Sequence, residues 1–279
     1  MQVRVTVLCE NSVASPFGVV GEHGWAVWIE TDAGSWLFDT GQGVGLRNNA
    51  AVLGVDLAQA QGIVLSHGHY DHTAGLPTAL GEQDGSVQVF AHPDLFLSRY
   101  WKKEDRQREI GLRYTRPYLE GLGARFDLAT GFRAIAPGIY LTGEVPRTTP
   151  FEPVDPAMKL RDADGCWHQD PLLDDQALVV DTAAGLLVVL GCAHAGLINT
   201  LQHVRASLPG RPIHTVIGGT HLGFAEPAQL EATLDHLDSF GIRRLGASHC
   251  TGLANGARLA AALGDRYFFA AAGCRFELG

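Results

Sequence analysis

The chain opens on an alternating run, Val3-Arg4-Val5-Thr6-Val7-Leu8, whose period of two predicts a strand with one face in a core. Trp25–Thr31 and Ser35–Phe38 read as two further strands, joined as a hairpin across Asp32-Ala33-Gly34. Residues 57–62 lead into the apolar triplet Ile63-Val64-Leu65, a buried strand, and Val87–Ala91 is another. Ala177–Asp181 and Leu186–Leu190 predict a second hairpin across Ala183-Ala184-Gly185. Apolar strands then alternate with segments of helical spacing: helix Leu197–Leu208, strand His214–Ile217, helix Leu230–Phe240, strand Arg244–Ala247. That alternation predicts an α/β layer. Residues 95–170 break the pattern with a charged stretch, Lys102-Lys103-Glu104-Asp105-Arg106, and a proline-rich run from Pro146 to Pro156. They read as helix and long loop laid over the core, either a solvated excursion or a lid over a site. The chain is read as one domain, residues 1–279, with this lid-like region inserted.

Histidines collect where these strands end. Ile63-Val64-Leu65 runs into Ser66-His67-Gly68-His69-Tyr70-Asp71-His72, four potential metal ligands within six residues. A short loop can turn His67 and His69 toward one ion and Asp71 and His72 toward a second; imidazole and carboxylate suit zinc, iron, manganese or nickel. Two ions need more donors. The later strands lead to Gly191-Cys192-Ala193-His194, Gly219-Thr220-His221 and Ser248-His249-Cys250, and sites in α/β layers sit at the carboxyl ends of strands. His249 and His194 are therefore expected as ligands. His221 is a third ligand candidate, or a neighbouring group that donates a proton. Cys192 is either a thiolate ligand or a buried structural thiol. Asp39, ending an apolar strand, either orients a ligand imidazole or caps the next turn. His23 and His92 are read as structural or supporting, and His168, His203, His214 and His236 as unrelated to the ions.

Composition narrows the partners. At 279 residues, 46% hydrophobic and 18% charged, the chain can bury a substantial core, and 34 glycines without a fixed period suit many tight loops. A net charge of -9 argues against nucleic acid and against anionic membranes. The N-terminal apolar run is too short for a signal-peptide core, and none reaches membrane-spanning length. Five widely spaced cysteines read as reduced thiols of a cytoplasmic protein. The expected partner is a small molecule; a homodimer is allowed.

The motif His67-x-His69-x-Asp71-His72, with Phe38-Asp39-Thr40-Gly41 upstream, resembles the metallo-β-lactamase superfamily over nearly the whole chain. The resemblance implies an α/β four-layer αββα sandwich with two metal ions at one edge between the sheets. Glu22-His23-Gly24, Thr142-Gly143-Glu144-Val145-Pro146-Arg147, Asp174-Asp175-Gln176, Gly191-Cys192-Ala193-His194 and Ser248-His249-Cys250-Thr251-Gly252 resemble the dihydropterin–aminobenzene ribofuranosyl phosphate synthase-like branch. One departure stands out: Asp174-Asp175-Gln176 occupies the place of the family's third-motif histidine, and Gly191-Cys192-Ala193-His194 lies near its bridging aspartate.

The implied activity is a metal-dependent hydrolase or related transferase with two divalent ions, zinc foremost, that lower the pKa of a shared water to about 7. Asp71 would hold metal and orient the nucleophile, and His221 would serve the leaving group or an oxyanion. Arg147, Lys102 and Lys103 would recognise a phosphate or carboxylate, or stand as ordinary surface charge. The alternatives are the branch-named synthase, forming a carbon–nitrogen bond, and a di-iron oxidoreductase, against which His69 and the chain length argue.

Overall fold

The computed structural model describes residues 1–14 and 17–279. Period-two patterning sorts the strand side chains between two cores. From Val3–Cys9, residues Val3, Val5 and Val7 enter one core, while past a bulge Leu8 and Cys9 enter another. Val27 and Ile29 face one way and Ala26 and Trp28 the other; Trp36 and Phe38 oppose Leu37. Each fully buried large apolar side chain contributes roughly 1.5–3 kcal/mol, so a one-residue slip in any of these strands would be heavily penalised.

The first sheet has the spatial order Arg275–Leu278, Val3–Cys9, Ala26–Thr31, Gly34–Phe38, Ala60–Val64, Val87–Ala91, Ala124–Leu128, and is parallel from Gly34–Phe38 onward. The second runs Arg244–Ser248, Ile213–Gly219, Gly185–Val189, Leu178–Thr182, Ile139–Leu141, Arg133–Ala136, with its first three strands parallel. The shared core between them takes Val5, Ile29, Phe38 and Val64 from one sheet and Leu178, Val180, Leu187 and Val189 from the other. Helices Leu46–Val52, Leu76–Gly81 and Arg116–Gly121 cover the outer face of the first sheet, and Leu197–Ser207, Pro227–Leu237 and Leu253–Leu263 that of the second. The result is the expected αββα sandwich.

Two expectations need correction. Residues 95–170 hold seven short strands as well as the expected helix, Arg116–Gly121, and a long loop over 142–157. Ala124–Leu128 extends the first sheet, and Arg133–Ala136 with Ile139–Leu141 extends the second. Trp167–Gln169, Met158–Arg161, Arg99–Lys103 and Arg106–Glu109 build a separate four-stranded sheet. Arg106–Glu109 is exposed on both faces, so it carries no apolar alternation to read. The helix placed at Leu230–Phe240 starts earlier, at Pro227, where proline suits the first turn, and gives way to a tighter turn at Asp238–Phe240.

Candidate metal centre

Five parallel strands end at one edge of the sandwich and deliver the site. Gly34–Phe38 leads to Asp39 and Ala60–Val64 to the Ser66–His72 loop; Gly185–Val189, Ile213–Gly219 and Arg244–Ser248 lead to Cys192 with His194, to His221 and to His249.

The Ser66–His72 loop is fixed by buried carboxylates. Asp39 accepts hydrogen bonds from Ser66 N (2.7 Å) and Ser66 Oγ (2.7 Å), and its Oδ2 lies 2.7 Å from His72 Nδ1. That contact turns His72 Nε2 toward the interior of the site, the orienting role a carboxylate plays behind a ligand histidine. On the other side Asp174 accepts from Gly68 N (2.8 Å) and pairs with Arg99 Nη1 (2.7 Å), while Arg99 Nε donates to Asp170 (2.8 Å). A Cβ on Gly68 would stand 2.5 Å from both Leu95 O and Arg99 Nη1, so only glycine lets the loop close over the guanidinium. Tyr70 N donates to Ile110 O (2.8 Å), tying the loop to the separate sheet.

Backbone conformation helps to set the loops of both sheets. Among the described residues six non-glycine residues have positive φ, and Asp39 (56°), Ala193 (51°), His221 (54°) and His249 (53°) are four of them. Left-handed conformations cost energy for residues with a Cβ, and strain of this kind clusters where surrounding contacts over-determine a functional geometry.

Three groups of donor atoms result, each with all members within 4.8 Å of one another: His67, Cys192 and His194; His72, Cys192 and His249; His23, Asp71 and His249. His69 stands beside the first, its Nδ1 2.9 Å from His67 Nε2 and its ring centroid 4.9 Å from that of His194. Asp71 Oδ2 lies 3.2 Å from His23 Nε2, 3.3 Å from His249 Nε2 and 3.9 Å from His72 Nε2. Cys192 Sγ is 3.2 Å from His72 Nε2. His69 Nε2 and both ring nitrogens of His194 are buried without a hydrogen-bond partner, and His249 Nε2 has only the 3.3 Å approach of Asp71. Unpaired buried polar atoms are costly; several converging lone-pair donors fit cations, so the residues present suit two metal ions.

The protonation states agree with that fit. Burial, helped by repulsion among neighbouring imidazoles, pushes His67 and His194 well below their ordinary value. Burial likewise takes His69 down to about 3. Neutral imidazole is the form that ligates metal. Burial works to raise Asp71, but His72, His23 and His249 together hold it well below the usual carboxylate range. Burial would lower His72, yet Asp39 and Asp71 raise it to about 9, a demand for positive charge that a cation at Nε2 can meet instead of a proton.

Asp174 and Asp175, which stand where the third-motif histidine was expected, lie behind the donors. Asp174 serves Gly68 and Arg99; Asp175 accepts from Ala195 N (3.3 Å) and approaches His67 Nδ1 (3.8 Å). His194 and Cys192 face the site in their stead. His221 lies outside the three groups. Its ring packs on His194 (4.3 Å between centroids) and Phe224 (4.9 Å), and its Nε2 is 3.4 Å from Asp155 Oδ2. Burial would lower His221, but Asp155 and Cys250 raise it to about 9.

A cavity of about 620 Å³ opens over His194 and His221 and is rimmed by Lys102, Lys103, Asp155 and Glu226. A smaller one, about 200 Å³, is lined by His249, Leu253, Tyr267 and Phe269. Arg147, expected at the substrate, lines neither; its Nη2 donates to Pro171 O (3.1 Å) and its guanidinium faces Asp175 and Glu152. Glu152 accepts from Ile198 N (2.7 Å) and Asn199 N (2.8 Å), which pins the proline-rich run to the start of helix Leu197–Ser207. His23, expected as structural or supporting, stands beside Asp71. Glu22-His23 precedes a strand without any spacing relation to the histidine cluster, and only the Asp71 contact reveals its place.

The sequence matches the metallo-beta-lactamase superfamily model over residues 19–158. It is 27% identical over 260 residues to 7,8-dihydropterin-6-methyl-4-(beta-D-ribofuranosyl)-aminobenzene-5'-phosphate synthase of Methanocaldococcus jannaschii, covering 90% of this chain and 88% of that one. It is 31% identical over 256 residues to an uncharacterized protein of the same organism, covering 89% and 90%. A crystal structure described as a metal-dependent hydrolase of the beta-lactamase superfamily superposes with a TM-score of 0.85 at 25% identity, covering 99% of each chain. Fold, donor cluster and sequence matches agree: the chain belongs to the metallo-β-lactamase superfamily.

Proposed function

We propose that the protein is a metal-dependent hydrolase of small molecules, with two divalent ions, zinc foremost. The observation that carries this reading is the convergence of seven histidine, aspartate and cysteine donors in overlapping groups, with both ring nitrogens of His194 lacking any hydrogen-bond partner. His67, His69 and His194 would hold one ion, and Asp71, His72 and His249 the other, with His23 supporting Asp71. Ions held there supply a nucleophilic oxygen from water near neutral pH and polarise a carbonyl or phosphoryl group. Asp39 and Asp174 keep the donors aligned from behind. His221, steadied by Asp155, stands on the cavity floor beside His194, placed to donate a hydrogen bond to an oxygen of the substrate. A cavity of about 620 Å³ suits a small organic substrate, and Lys102 and Lys103 at its rim favour an anionic one.

A second reading is a synthase activity like that named for the Methanocaldococcus relative; in this chain it would join a pterin and an aminobenzene substrate through a carbon–nitrogen bond with diphosphate leaving. It is favoured by the presence of two cavities, one reaching His194 and the other His249. Metal analysis, followed by assay of phosphoesters, lactones, thioesters and β-lactams, tests the first reading. Diphosphate release only when a pterin and an aminobenzene substrate are both present would select the second. His69→Ala should lose at least one metal equivalent and nearly all activity; a folded variant with full metal content would defeat the two-ion assignment.

A further inference from the structure

We propose that Cys192 is a thiolate ligand shared by the two ions, joining the His67–His194 group to the His72–His249 group. The inference rests on the two-ion reading and adds the nature of the link. Cys192 is the residue common to those two groups, and within each the donor atoms all lie within 4.8 Å. Its side chain is 3% exposed, and its sulfur lies 3.2 Å from His72 Nε2, the nitrogen that Asp39 turns inward. A thiol serving only as a small apolar filler has no reason to sit between converging imidazoles.

The backbone fixes this position. A Cβ on Gly191 would collide with Ser66 Oγ, so the strand end and the histidine loop are packed directly together. Gly219 N donates to Gly191 O (2.9 Å), and Cys250 Sγ donates to Cys192 O (3.6 Å). Neither Asp174 nor Asp175 belongs to the three donor groups: Asp174 Oδ2 is held by Arg99 and Gly68, and Asp175 Oδ2 accepts from Ala195 N while its Oδ1 lies 3.8 Å from His67 Nδ1. Apart from Asp71, the thiolate is then the anionic donor at the junction. Coordination replaces the S–H bond by sulfur–metal bonds and releases one proton to solvent, with no change of oxidation state. A sulfur donor among imidazoles shifts preference toward zinc, ferrous iron or cobalt and away from manganese or magnesium.

The test is titration of the metal-free full-length protein with cobalt(II), followed by near-ultraviolet absorption and metal counting. Wild type should bind two equivalents, show a thiolate-to-cobalt charge-transfer band, and change that band again as the second equivalent enters. Cys192→Ser should lose the band and weaken metal binding by at least the about 10–100-fold that loss of a supporting residue costs. Cys250→Ser, removing the neighbouring thiol, should keep the band. Cys192→Asp guards against a folding defect: it should bind two cobalt ions without the band. Two equivalents bound by wild type without the band, or a band surviving in folded Cys192→Ser, would overturn the thiolate but leave the two-ion reading intact. A band complete at the first equivalent and indifferent to the second would overturn the sharing. No cobalt uptake at all would overturn the two-ion reading and this inference with it.

Discussion

The Ser66–His72 loop and the three histidine loops of the second sheet reach the same site by different physical means. The first places four donors within six residues and holds them with hydrogen bonds to Asp39 and Asp174. The second spreads its donors over Cys192, His194 and His249, brings His221 beside them, and has left-handed backbone at Ala193, His221 and His249. Both halves use buried carboxylate acceptors and left-handed backbone, but the first gathers its donors in one loop behind Asp39 and Asp174, whereas the second draws them from separate parallel strands with three left-handed residues. Substitutions should separate these two modes.

The largest effect is expected where the polar frame is cut. Asp39→Ala leaves Ser66 N, Ser66 Oγ and His72 Nδ1 buried without their acceptor. Metal affinity should fall by about 10–100-fold or more, with stability lost as well, read by metal titration and urea unfolding. The first half of the site would be shown to be self-supporting if affinity and midpoint stayed at wild-type values.

Arg99→Met comes next. It strands Asp170 and Asp174 in the interior and should cost about 3–5 kcal/mol, the typical result of removing one partner from a buried ion pair. The pH dependence has a definite sign. Burial already raises Asp174 to about 6, above its ordinary 3.8, with Arg99 opposing the rise. Between those values the native chain binds more protons than the unfolded one, so this carboxylate's penalty is full above pH 6 and is relieved as pH falls through that window. Without Arg99 the folded value rises further. The deficit of Arg99→Met against wild type should therefore shrink in urea melts taken from pH 7.5 down to 5.5; a constant deficit would remove Asp174 from the account.

The smallest effect is expected at Ala193→Gly. Relief of left-handed strain, worth about 1–2 kcal/mol, is offset by the larger unfolded-state entropy of glycine, about 0.5–1 kcal/mol. The urea midpoint should stay level or rise slightly while metal affinity drops, because His194 loses its constraint. A marked loss of stability would show that strain is not how the second half is set.

The contrast also explains what could be read from sequence. The compact loop was legible because its ligands are close in sequence and follow an apolar strand. Nine strands of the two sheets were legible because each buries at least one face, whereas Ala124–Leu128, Arg133–Ala136, Ile139–Leu141 and Arg275–Leu278 were not read as strands. His194 and His249 were expected near the loop from their positions after successive strands, which is topological information, and the structure brings both into the donor groups. Cys192 stayed open between ligand and filler because a buried thiol looks the same in both roles until His72 and His67 are placed around it. For His23, read as structural or supporting, the sequence could not name the partner, since its link to Asp71 crosses 48 positions. The sheet containing Arg99–Lys103 and Arg106–Glu109 was read as helix and loop because much of its surface is exposed, and period-two patterning needs a buried face. Arg99 gave no sequence signal: a guanidinium at 1% exposure is explained only by two aspartates more than seventy positions away.

The most direct test of the account is the metal content of the folded chain, counted per polypeptide for wild type, His194→Ala and His249→Ala after equilibration with excess zinc and gel filtration. Two equivalents in wild type and about one in each variant, with unchanged circular dichroism, is the predicted result. One equivalent or none in wild type, or two retained in either variant, would contradict a centre assembled jointly by the two halves.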